Sequence, residues 1–125
     1  MNDEMIVRDL FFSFLSDITN QDGEALNNTV DRSFAVHHIM TGTSQSGSDF
    51  ISDVCQGKFR IYSTEVFSSD LRVIGDSAFV IGKFTADCEI YGTERQVRRL
   101  CMKPTLRKAA EDWKFTDIRI SECIE

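Results

Sequence analysis

Apolar residues recur every three or four positions over residues 3–19, where Met5, Ile6, Leu10, Phe11, Phe14, Leu15 and Ile18 make one stripe. The spacing predicts a helix, with Asn2 or Asp3 as its cap and Glu4 beside the positive end of its dipole. Phe12 lies next to the stripe and widens it. A polar turn, Asn20-Gln21, leads to a second, shorter helix over 22–29, capped by Asp22, with Ala25, Leu26 and Val30 at helical spacing. The period then falls to two. Phe34, Val36, His38 and Met40 alternate with Ala35, His37 and Ile39, as in a strand. Thr41 to Gly47 has the composition of a loop. A third helix follows, capped by Ser46 or Ser48, with Phe50, Ile51 and Val54 as its stripe and Gly57 as its stop.

Four strand-like segments complete the chain, over 58–74, 77–91, 94–103 and 113–122. Gly75-Asp76, Gly92-Thr93 and the stretch from Ala109 to Asp112 separate them, and Pro104 ends or edges the third. Turns this short join neighbouring antiparallel strands, so the four form a meander. In the segment 77–91 the apolar side carries Ala78, Val80, Gly82, Phe84, Ala86, Cys88 and Ile90, and the other side carries Lys83, Thr85, Asp87 and Glu89. The expected architecture is therefore a single α+β domain over 1–125: three helices packed on a highly curved antiparallel or mixed sheet. Long strands twist and curl, and helices close their concave side. What remains between the two layers is a ligand-sized pocket.

Three stretches then carry a family resemblance: Phe34-Ala-Val-His-His-Ile-Met-Thr-Gly42, Gly57-Lys-Phe-Arg-Ile-Tyr62, and Ile74-Gly-Asp-Ser-Ala-Phe-Val-Ile-Gly82, followed by a late Asp112-Trp-Lys-Phe115. In order and spacing the chain resembles the nuclear transport factor 2-like superfamily, which holds ketosteroid isomerases and SnoaL-like polyketide cyclases. The resemblance covers nearly the whole chain. It implies a cystatin-like cone with a central pocket, often a homodimer through the sheet. It does not imply one reaction, since the superfamily holds isomerases, cyclases, dehydratases, epoxide hydrolases and non-catalytic modules.

Composition narrows the partners. The formal net charge is −6, and the basic residues Arg95, Arg98, Arg99, Lys103, Arg107 and Lys108 are interrupted by apolar ones. Neither feature suits a nucleic-acid backbone or an anionic membrane surface. The four cysteines, Cys55, Cys88, Cys101 and Cys123, are far apart with no knuckle spacing, so neither a metal site nor a cofactor is expected. The N-terminal Asn2-Asp3-Glu4 is acidic where a secretory signal is basic, and a reducing cytoplasm is the expected compartment.

Candidate chemistry is sparse. His38 shares a strand face with Phe34, Val36 and Met40, and a histidine there is suited to proton exchange or to a hydrogen bond with a ligand. The bland alternative is a core-edge imidazole bonded to a carbonyl. His37 points the other way, to the surface or an interface. Thr41 offers a hydroxyl beside His38, unless it satisfies its own loop. Tyr62 shares a face by alternation with Arg60, Thr64 and Val66; it either donates its hydroxyl to a ligand or packs as an aromatic. Asp87, with Glu89, either adds a carboxylate to the pocket or faces solvent or a partner. Two functions follow. The first is a pocket for a small apolar or amphipathic molecule, with His38 as the catalytic residue and Tyr62, Thr41 and Asp87 as ligand contacts. The second is a non-catalytic binding or dimerisation module in which the sheet residues Val97, Phe115 and Ile118 matter more.

Overall fold

The computed structural model describes residues 2–123. The elements run α1 (Asp3–Thr19), α2 (Gly23–Thr29), β1 (Val30–His38), β2 (Thr43–Ser46), α3 (Gly47–Cys55), β3 (Phe59–Ile74), β4 (Ser77–Ile90), β5 (Gln96–Ala109) and β6 (Asp112–Glu122). The caps are those the sequence offers. Asn2 accepts from the Met5 amide, Asp22 from Ala25, and Ser46 from Asp49. At the end of α3, Gly57 adopts φ +77°, which only glycine takes without strain. Its amide bonds the Val54 carbonyl and that of Lys58 bonds Asp53, so the last turn is closed.

The six strands form one mixed sheet in the order β2-β1-β6-β5-β4-β3. β3 to β6 are the expected antiparallel meander, while β1 lies parallel to β6. Three local expectations need correction. The first strand begins at Val30 and ends at His38, because the chain pairs with β6 as soon as α2 ends. Thr43–Ser46, expected as loop, is a short strand paired with Ala35–His38. The third long strand does not stop at Pro104 but runs to Ala109. Pro104 is tolerated because the β4 ladder skips it, with pairs at Gly82–Met102 and Phe79–Thr105 but none between.

The core lies between the helices and the concave face. Phe11, Phe14, Leu15 and Ile18 of α1 meet Phe84, Leu106 and Phe115 of the sheet, all essentially unexposed. Phe14 and Phe115 stack with centroids 4.7 Å apart. Phe115 and Ile118 are thus core residues at 0% exposure, not outer-face residues, since β6 carries a bulge that resets its alternation. The inward side of β4 is the one its alternation predicts. Gly82 lies on that side because Phe11 occupies the place of its missing side chain. Two bulges in β3, at Tyr62 and Phe67, each leave one residue unpaired and shift which residues face inward.

Candidate functional site

α1 packs against β3, Gly82 of β4 and Phe115 of β6 and contributes nothing to the end of the sheet where β1 stops. There the end of β1, the β2 hairpin, the start of β3, the β4–β5 turn and β5 enclose a hollow of about 420 Å³. Its walls are Met40, Phe59, Ile90, Leu100 and Ile120; its polar groups are His38, Thr41, Thr43, Ser44, Gln45, Tyr91 and Arg98. Met40 and Tyr91 are 52% and 43% exposed, so the hollow communicates with solvent.

His38 sits among aromatic rings, 5.4 Å from Tyr91, 6.1 Å from Phe59 and 6.3 Å from Phe50, centroid to centroid. Its Nε2 is 2.6 Å from Gln45 Oε1. The Gln45 amide donates from Nε2 to Asp53 Oδ2 at 3.0 Å. The Tyr91 hydroxyl lies 2.8 Å from Gln45 Oε1 and 2.9 Å from Asp53 Oδ2. These four residues come from four different elements, and the donor inventory fixes their direction. An ionised carboxylate only accepts, so the amide nitrogen of Gln45 must face Asp53 and its oxygen must face His38. An amide oxygen only accepts, so His38 Nε2 carries the proton. In neutral His38 that leaves Nδ1 as the accepting nitrogen. It has no hydrogen-bond partner among the described residues, and no unpartnered polar atom there is sealed from solvent, so Nδ1 is reachable. Burial pushes the Tyr91 hydroxyl well above the ordinary tyrosine pKa, with the bond to Asp53 and its negative charge acting in the same direction. Tyr91 is therefore a neutral donor at physiological pH.

The second polar group is Arg98. Its side chain is only 13% exposed, and Nη2 reaches Glu122 Oε1 at 2.6 Å and lies 3.9 Å from the Met40 sulfur. The β5 alternation that buries Leu100 and Met102 turns Arg98 inward with them.

The sequence-derived candidates divide. His38 and Thr41 both line the hollow. The Thr41 hydroxyl is shared with Thr43 Oγ1 at 2.7 Å. Tyr62 and Asp87 are not brought to it. Tyr62 is the bulged residue of β3, and its ring is sandwiched by Arg60 and Arg95, whose guanidinium carbons stand 4.4 and 3.6 Å from its centroid. Its hydroxyl donates to Glu89 at 3.0 Å. Asp87 holds Arg95 with both carboxylate oxygens, at 3.0 and 2.9 Å, and that pair holds its carboxyl below the usual range. Asp87 lies on the outer face because β4 turns its odd-numbered residues outward there, and Tyr62 is held on the same face by its bond to Glu89. His37 is on that face too, bonded to Ser44 at 2.7 Å.

Gln45, Asp53, Tyr91 and Arg98 escaped the sequence reading. Arg98 alone had a usable signal, its phase with Leu100 and Met102. Among the described residues no group of three or more His, Cys, Asp or Glu side chains is placed to hold a metal, and Cys55, Cys88 and Cys101 are free thiols. No described helix is long and apolar enough to cross a membrane.

No protein-family model matches the sequence, and no curated protein matches it. Solved structures do. An NTF2-like protein from Cytophaga hutchinsonii superposes with a TM-score of 0.88 at 17% identity, covering 98% of this chain and 100% of that one. A putative Ca/calmodulin-dependent kinase II association domain from Exiguobacterium sibiricum gives 0.84 at 13% identity, covering 100% and 97%. A CaMKII hub from S. rosetta gives 0.81 at 15%, covering 98% of each. The chain has the nuclear transport factor 2-like fold, as its element order and motifs led us to expect.

Proposed function

We propose that the domain binds a small, mainly apolar molecule in the hollow beside His38. The observation that carries this reading is the wall chemistry. An apolar hollow of about 420 Å³ falls within the size range of small-molecule sites and holds a few convergent polar groups. The His38–Gln45–Asp53–Tyr91 chain supports a defined role for the imidazole. It fixes one tautomer and leaves an accepting nitrogen for a ligand hydrogen, or for a proton removed from the ligand. A ligand that binds only the native state raises its stability, by about 2.7 kcal/mol at a hundredfold excess over Kd. Thermal-shift screening with short-chain alcohols and ketones should therefore find stabilisers. Leu100→Trp, which fills the hollow, should abolish the shift while the variant stays folded. If shifts persist undiminished in Leu100→Trp, the ligands bind elsewhere and the reading fails.

A second reading has its own observation. The outer sheet face exposes Phe79 at 45%, Ile81 at 40% and Val97 at 70%. Large exposed apolar groups on one face suit a homodimer through the sheet. Two of the similar structures are a kinase association domain and a hub, which favours self-association here as well. Light scattering should give a dimer or larger assembly, and Ile81→Asp with Val97→Asp should dissociate it. A wild-type monomer at high micromolar concentration would remove this reading.

A further inference from the structure

Resting on the reading of the hollow as a ligand site, we propose that its ligand is a small carboxylic acid with a hydrocarbon body, held through Arg98, and that Glu122 is the stand-in for its carboxylate.

Arg98 is the only fixed cation lining the hollow among the described residues. It is placed there at a cost, since most of its side chain is removed from water among Met40, Leu100 and Ile120. The guanidinium has five N–H donors, and the structure uses only Nη2. Nε and Nη1 have no partner among the described residues, and neither is sealed from solvent, so both remain available. A planar fork with open donors matches a carboxylate in two-point contact.

The Arg98–Glu122 pair is neutral as a unit, which at first sight leaves nothing for an anion. The burial of its members decides otherwise. Arg98 is 13% exposed and Glu122 is 47% exposed. Glu122 makes one contact, through Oε1, and stands near the end of the last strand with its other oxygen unused. A half-exposed carboxylate regains water when it leaves, and the largely buried charge it uncovers at Arg98 is met by the incoming carboxylate. The arginine cannot leave with it. An incoming acid therefore exchanges one carboxylate for another at Arg98, and burial of its hydrocarbon against Leu100, Ile120 and Phe59 favours the newcomer. His38 has its Nε2 committed to Gln45 Oε1, so Arg98 is the one fixed cation that a carboxylate meets among the described residues lining the hollow. One carboxylate, not two, is the charge the site can hold.

The test compares hexanoate, hexanol and hexylamine by calorimetry on the full chain. Hexanoate should bind at least tenfold more tightly than hexanol, hexylamine should be weakest, and added salt should weaken hexanoate alone. Arg98→Gln should lose roughly tenfold or more of hexanoate affinity and leave hexanol unchanged. Glu122→Gln should move hexanoate the other way, several-fold tighter, since it weakens the competitor. That second variant keeps the proposal testable should Arg98→Gln unfold. If hexanol binds as well as hexanoate, the pocket reading stands and the acid assignment falls. If none of the three binds, both fall. Weaker hexanoate binding in Glu122→Gln would overturn the exchange between the two carboxylates.

Discussion

Replacing Asp53 by asparagine tests whether the carboxylate sets the direction of the polar chain. In the native protein its Oδ2 accepts from Gln45 at 3.0 Å and from Tyr91 at 2.9 Å. Asparagine removes the charge and offers a donor as well as an acceptor where only acceptors stood. Hydrogen bonds to a charged group contribute roughly 1.5–3 kcal/mol each. Here the site is half-buried and the partners bond one another, so the loss should be about 1–3 kcal/mol in total rather than the sum. A domain of this size should then melt roughly 3–10 °C lower. The second consequence is directional. Without an obligate acceptor at position 53 the Gln45 amide is free to turn, offering its nitrogen to His38 and drawing the imidazole proton to Nδ1. Long-range proton–nitrogen NMR reads the tautomer directly. Neutral native His38 should show the proton on Nε2, and Asp53→Asn should show a mixture or a reversal. Tyr91→Phe keeps the carboxylate and should keep the tautomer. A native protein protonated at Nδ1, or an Asp53→Asn variant with the tautomer unchanged, would refute the reasoning.

Three further outcomes are expected. Gly82→Ala places a Cβ 2.2 Å from Phe11 Cζ, and since Phe11 is buried the overpacking should cost about 1–3 kcal/mol in denaturant unfolding, partly recovered by adding Phe11→Leu. The Asp3 carboxyl accepts from the Trp113 indole at 3.1 Å and from Lys108 at 3.3 Å, and the indole bond foremost holds its pKa below the ordinary value. Its contribution is present above the unfolded-state pKa of about 3.9 and is lost as pH falls through the lower folded value, so Asp3→Asn should be less stable than native at pH 7 and converge with it in acid. Trp113, the single tryptophan, reports this by fluorescence. Burial raises the Tyr91 pKa, so its contribution is present below the unfolded value of about 10 and is lost as pH rises through the higher folded one. Tyr91→Phe should flatten the alkaline arm of the stability profile, and an arm as steep as the native one would exclude Tyr91 as its source.

The fold was legible because its signals are local and repeated. The α1 stripe, the three side-chain caps and the strict alternation of β4 each announce an element within a dozen residues. The polar lining of the hollow was legible only at His38, where alternation persists, and at Thr41 beyond the strand end. Tyr62 was misplaced because a bulge carries no composition of its own. One extra residue between Ile61 and Ser63 turns the following side chains over, so Arg60 and Thr64, which a uniform strand puts on one face, end on opposite ones. Gln45 was missed because a four-residue polar strand has no periodicity to read, and it is a strand only because β1 lies beside it. Asp53 and Tyr91 became partners across 38 residues of chain, a separation that no local pattern reports.

On the proposed reading of the hollow as a ligand site, the same wiring bears on the route of entry. Tyr91 has φ +46°, a left-handed conformation that costs a non-glycine residue of order 1 kcal/mol and persists only where the surroundings enforce it. Two contacts enforce it here. Its amide donates to the Lys58 carbonyl at 2.7 Å, and its single hydroxyl hydrogen is shared between Gln45 Oε1 and Asp53 Oδ2. Asp53 and Lys58 lie on either side of the closed last turn of α3, where the Lys58 amide bonds the Asp53 carbonyl at 2.9 Å. Tyr91 is thus held at both ends by one rigid corner of the chain, and although 43% exposed it is a wall and not a lid. That reading assigns entry to Met40 instead. Met40 lies just past the end of β1, is 52% exposed and carries an unbranched side chain whose only polar contact is the long one to Arg98. On that reading, a ligand that displaces Met40 meets the open Nε and Nη1 of Arg98, while Nη2 stays with Glu122 until the two carboxylates exchange.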